Sequence, residues 1–178
     1  MKASRKAQIL PDPRVPWPDS VREAQNAYIV KAMTLNRTLG TAVTAVAGVR
    51  RELDALNKDV AARQDLPADV TAALKSFGDT FLKLEEAIKP KEFGSRGSWE
   101  MALRGGSLSQ QLMMLGPAVQ SYPGPPTETQ RAQLAQYTSA VGDLIRRLND
   151  FTGTDVPVLN KILGAGALKP RTVPNKVE

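Results

Sequence analysis

Between Val21 and Val60 the chain runs forty residues without a proline and carries an apolar heptad throughout. One series is Val21, Tyr28, Leu35, Ala42, Val49, Leu56; the other is Gln25, Ala32, Leu39, Val46, Leu53, Val60. Steps of seven, offset by four and three, put both series on one stripe of an α-helix. The segment therefore predicts a helix packed lengthwise on other helices, roughly 60 Å long at 1.5 Å per residue. The remaining chain has to cover that stripe.

Ser20 and Glu23 match a capping box and place the start of helix 1, which is expected to run to about Arg63. Gly40 and Gly48 each weaken it by about 1 kcal/mol relative to alanine, and predict close approach of a neighbouring helix. Gln64 to Pro67 reads as a tight reversal, with Asp65 or Leu66 capping helix 2 and Pro67 in its first turn. Helix 2 repeats the heptad with Val70, Phe77, Leu84 and Leu74, Phe81, Ile88, and Pro90 ends it.

Residues 91–106 are irregular, with a short helical turn expected near Trp99 to Leu103. Ser107 with Gln110 opens helix 3, whose face is Leu108, Leu112, Leu115 and Val119. Gly116-Pro117 should kink it or end it early. Met113-Met114 lies beside the leucine seam and is expected to fill gaps in the core, although methionine also suits an adaptable surface. Tyr122 to Pro126 is a stiff connector. Thr127 with Gln130 caps helix 4, which carries Leu134, Val141, Leu148 and Tyr137, Leu144, Phe151. Gly153 is expected to break it before a last short helix, Asp155 to Leu163, facing inward through Val158, Leu159 and Ile162.

These elements predict an all-α fold, a four-helix antiparallel up-down bundle. Residues 1–19 form an extended Pro-rich leader in which Lys6 to Leu10 can pair as a short strand. Residues 20–164 form the bundle, and 165–178 a tail that is flexible or draped on the surface. Helix 1 is longer than helix 2. Its excess must be covered by helix 4 and its extension, by the 91–106 segment, or by another domain or subunit.

Several chemistries lack their residues. There is no cysteine and no histidine, which removes disulfides, the usual zinc sites, the serine triad and the Glu-x-x-His di-iron motif. Gly105-Gly106-Ser107-Leu108-Ser109 lacks the closing glycine of a nucleophile elbow. No cofactor is expected. Among carboxylates, Glu85, Glu86, Asp143 and Asp150 all read as solvent-facing charges. The net charge of +6 comes from scattered cations with no interleaved aromatic platform, so it reads as a solvated surface rather than a nucleic-acid site. No apolar window is long enough to span a membrane, and the N-terminus lacks the apolar core of a signal peptide.

Three candidate features remain. Arg104, Gly105, Gly106 and Ser107 precede a helix start, where backbone N–H groups can bind a small anion; the ordinary alternative is a helix entry. Trp17 and Trp99 either plug the bundle ends or face a partner. Helix 1 offers a surface for a protein partner or for self-association.

Pro11-Asp-Pro-Arg-Val15, Pro125-Pro-Thr-Glu-Thr-Gln130 and Thr154-Asp-Val-Pro-Val-Leu-Asn-Lys-Ile-Leu163 together resemble the C-terminal helical region of bacterial BNR-repeat, sortilin-like (VPS10-like) propeller proteins, often labelled glycosyl hydrolases. That resemblance implies a secreted or periplasmic protein and an accessory helical module detached from a propeller. It also implies the competing reading, a hydrolase working through carboxylates. The chain holds no propeller repeat, so no propeller residue carries over.

Overall fold

The long heptad folds as one helix, α1 (Asp19–Ala61). The computed structural model describes residues 17–63, 65–88, 108–121, 124–173 and 176–177. The expected strand at Lys6 to Leu10, the leader to residue 16, the turn at Trp99 and the Ser107 cap lie outside the described residues. The remaining elements are α2 (Ala68–Ile88), α3 (Leu108–Gln120), α4 (Glu128–Asp150), a π-helical turn (Phe151–Asp155) and α5 (Val156–Ala165). The fold is an all-α bundle, with no strand among the described residues.

The buried residues of α1 largely follow the predicted stripe: Gln25, Tyr28, Ala32, Leu39, Ala42, Val46, Val49, Leu53 and Leu56 are buried, Ala45 joins them from outside it, and Val21, Leu35 and Val60 are half-buried. Its start differs from the expected capping box. Pro18 occupies the N-cap position, and its carbonyl accepts from the backbone N–H of Val21 and Arg22. Asp19 then stands in the first turn, where the helix dipole favours a negative charge. The box predicted at Thr127 is present in full. Gln130 N–H donates to Thr127 Oγ1 at 3.2 Å, and Thr127 N–H donates to Gln130 Oε1 at 2.8 Å. Gly40 does not mark a close approach: a β-carbon built there would meet nothing within 4 Å.

Cross-links place the helices along α1. Arg50 of α1 meets Glu85 of α2. Gln25 meets Val119 of α3, and Asn36 meets Ser109 of α3. α3 therefore runs against α1 on its N-terminal half, while α2 meets the C-terminal half at Arg50. Tyr28 Oη donates to the Gln130 carbonyl near the start of α4, and Leu148 near its end shares a core with Val49 and Leu56. Hence α4 runs along α1 in the same sense. The expected strict up-down-up-down order is not kept: α3 runs against α1 and α4 along it, and α2 and α3 lie on successive halves of α1. The reason is length. A helix of 21 residues covers about half of one with 43, so a second helix is needed in line. The N-terminal half of α1, which the mismatch had left open, is covered by α3 and α4.

Two cores result. One joins the C-terminal half of α1 to α2, the end of α4, α5 and the tail, with Phe77 and Phe81 against Phe151 at ring separations of 4.8 and 5.7 Å. The other joins Tyr28, Ala32 and Leu39 to Leu112, Leu115, Val119, Leu134 and Val141. Helix α3 continues through Pro117 to Gln120 rather than ending at it. Proline cannot donate to the Met113 carbonyl, which weakens that turn.

The junction after Phe151 is not a break. Val156 N–H donates to the Phe151 carbonyl, an i to i+5 bond, so the chain stays helical through Gly153. The inward face of α5 is Val156, Leu159 and Leu163, with Ile162 half-buried against the same core; of the expected Val158, Leu159 and Ile162, only Val158 faces out, at 52 % exposed.

Candidate functional site

The candidate anion site, Arg104, Gly105, Gly106 and Ser107, lies outside the described residues, as does Trp99. Trp17 is half-buried immediately ahead of Pro18. The functional surface has to be built from other residues.

Two buried polar groups are structural. Gln25, the amide in the α1 stripe, donates through Nε2 to the carbonyls of Val119 at 3.3 Å and Gly124 at 2.7 Å. It thereby satisfies the Val119 carbonyl at the C-terminal end of α3, which the helix cannot satisfy itself, and the Gly124 carbonyl of the connector that follows. Glu85 was expected in solvent and is 7 % exposed instead. Arg50 grips it with two hydrogen bonds, Nε to Oε1 at 3.2 Å and Nη2 to Oε2, while its guanidinium lies 4.7 Å over the Phe81 ring. The hydrogen bond to Glu85 pushes the Arg50 pKa above its ordinary value, against the lowering effect of burial. Asp143 is paired with Arg146 on the surface, as its exposed position implied. Among the described residues no group of three or more Asp and Glu side chains is arranged to hold a metal ion. No helix among them is long and apolar enough to cross a membrane.

Exposed apolar side chains form a more specific feature. Met113 and Met114 do not fill the core: they are 58 % and 64 % exposed. The register of α3 explains this. Leu112, Leu115 and Val119 define its buried stripe, and residues 113 and 114 are turned about 100° and 200° away from Leu112. On α1, Val30 and Met33 are 52 % and 61 % exposed. All four lie in the stretch bounded by the Gln25–Val119 and Asn36–Ser109 cross-links. The heptads held this signal, because none of the four occupies a seam position.

A second feature is the C-terminal segment. Helix α5 ends in a Schellman motif, with Leu168 N–H donating to Leu163 O at 2.8 Å and Ala167 N–H to Gly164 O at 3.1 Å. Ala167 takes the left-handed conformation this motif needs, at φ 51°. Beyond it the chain lies along the bundle. Asn160 of α5 holds Arg171 by both backbone groups: its Nδ2 donates to the carbonyl at 3.0 Å, and its Oδ1 accepts from the N–H at 2.7 Å. Asn149 of α4 holds Val177 in the same way at 2.9 and 3.0 Å. Leu168 and Val177 are buried, and the Arg171 guanidinium reaches Asp59 of α1. No heptad flags these asparagines, because they act on backbone rather than on side chains.

No family model, curated protein or solved structure matches this chain.

Proposed function

We propose that the chain is a non-catalytic helical interaction module that associates through the outer faces of α1 and α3. One observation carries this reading: Val30, Met33, Met113 and Met114 are each more than half exposed and share one stretch of the α1–α3 pair. Exposed apolar side chains favour association, and flexible thioethers adapt to the face they meet. The resemblance of its three short stretches to the helical region of propeller proteins supports an accessory role of the same kind. Helix α1 then contributes to association through its outer face, while its seam is used within the bundle.

Sedimentation equilibrium tests the reading. Wild type is expected to self-associate in the high micromolar range, and a Met33→Lys/Met113→Lys variant to remain monomeric with unchanged helical circular dichroism. A wild-type chain that stays strictly monomeric at those concentrations removes self-association through this face.

A further inference from the structure

The hold on the C-terminal segment has the chemistry of peptide recognition. A primary amide presents one donor and one acceptor in a plane, as the edge of a peptide group does. Asn149 and Asn160 each use both to pair with the N–H and C=O of a single residue, Val177 and Arg171. This is how a neighbouring β-strand reads an extended chain, independently of side-chain identity.

Selectivity comes from what lies between the two clamps. Arg171 and Val173 share a small void with Leu53 and Leu56 of α1 and with Val156 and Leu159 of α5. Val173 packs on the core, and Val177 is 3 % exposed. The charges are complementary. Glu52 lines the same void as Arg171, Asp59 pairs with Arg171, and Asp150 lines an open hollow with Lys176. The face therefore suits an extended, basic segment bearing aliphatic residues. The chain's own residues 168–177 have that chemistry.

We propose that this face of α1, α4 and α5 is a backbone-reading peptide groove that accepts residues 168–177 of a second copy as well as those of its own chain. The attachment to α5 makes exchange feasible. The segment leaves α5 at Gly166-Ala167, a two-residue hinge in which Ala167 takes a positive φ that an alanine adopts with strain. In the resting chain the tethered segment competes at high effective concentration, which masks the groove.

Fluorescence anisotropy with a labelled synthetic peptide of residues 167–178, added to the full chain, tests this. Wild type is expected to bind it weakly. A chain carrying Val173→Asp/Val177→Asp in its own tail is expected to bind it about tenfold more tightly or better, because its cis competitor is weakened. Adding Asn149→Ala to that chain should cost about tenfold, since it removes both hydrogen bonds to one peptide residue. A peptide N-methylated at Val177, which cannot donate to Asn149, should lose affinity similarly. The proposal is overturned if the tail-substituted chain remains folded by circular dichroism yet binds no better than wild type. It is equally overturned if Asn149→Ala and the N-methyl peptide leave affinity unchanged. Peptide binding is also measured in the Met33→Lys/Met113→Lys background, where the groove must work even if association through α1 and α3 is lost.

Discussion

Arg50 and Glu85 tie α1 to α2 at one point in the larger core. A carboxylate this deeply buried is tolerated when its charge is met, and the guanidinium meets it in a two-pronged grip braced on Phe81. Arg50 keeps 28 % of its side chain exposed, so the pair is partly screened. The asymmetry between removing one partner and removing both is testable. Arg50→Met strips the carboxylate of its grip and is expected to cost about 2 kcal/mol in urea unfolding. Arg50→Met/Glu85→Leu replaces both charges by apolar volume and should recover most of that loss. A double variant as unstable as the sum of the Arg50→Met and Glu85→Leu singles would show that the two residues are not coupled, and would refute this account. The heptad could not foresee this contact. Glu85 follows Leu84 and lies outside both apolar series, and only the α1–α2 packing brings Arg50 over it. Gln25 is the opposite case: its heptad position marked it as inward-facing, and burial followed.

Among the elements, the join between α4 and α5 carries the clearest consequence of sequence spacing. Five residues separate Phe151 from Val156, and a continuous α-helix would turn Val156 about 140° away from the Phe151 stripe. The single π turn absorbs the difference and keeps Phe151, Val156, Leu159 and Leu163 on one buried face. Deleting Gly153 leaves a spacing of four, which an ordinary α-helix satisfies to within about 40°. The deletion is therefore expected to preserve the fold and full helical circular dichroism. Inserting an alanine after Gly153 is expected to turn α5 off the core and lower the Tm by tens of degrees, since three aliphatic side chains lose burial at about 2 kcal/mol each. Equal damage from deletion and insertion would refute this account of the turn. The existence and order of the described helices were legible because their stripes are long. The inward face of α5 was legible only in part, since Leu159 and Ile162 meet the core and Val158 does not, and a glycine in the pattern reads equally as a break or as a residue the helix passes through. The buried faces of α1 and α2 were legible almost residue by residue. The outward position of Met113 and Met114 followed from the α3 stripe, but methionine's usual place in cores pulled the other way.

The molecule as a whole is two cores threaded by two helices. α1 and α4 run through both, while α2 with α5, and α3 alone, each close one end. Among the described residues the cores are unequal: 18 buried residues form the one around Phe81, and eight form the one around Leu115. The smaller is closed by a 13-residue helix that contains Gly116 and Pro117, both costly within a helix. The wide separation of α2 and α3 in sequence also means that each can open without unwinding the other. Native-state hydrogen exchange should therefore find α3 amides opening at a lower free energy than those of α2 and the C-terminal half of α1. Leu115→Ala, which empties a buried site in the smaller core at a cost of about 3 kcal/mol, should widen that gap. Under conditions where the chain stays folded, its effect should fall on α3 and the facing turns of α1 and α4, with α2 and α5 little changed. If the variant instead lowers protection evenly across all helices, α1 and α4 couple the two cores into one cooperative unit and the two-core description fails. If the effect stays local, the end of the bundle bearing Val30, Met33, Met113 and Met114 is also its most easily remodelled end. An apolar face built on the least stable helix can then adapt its packing to whatever docks on it.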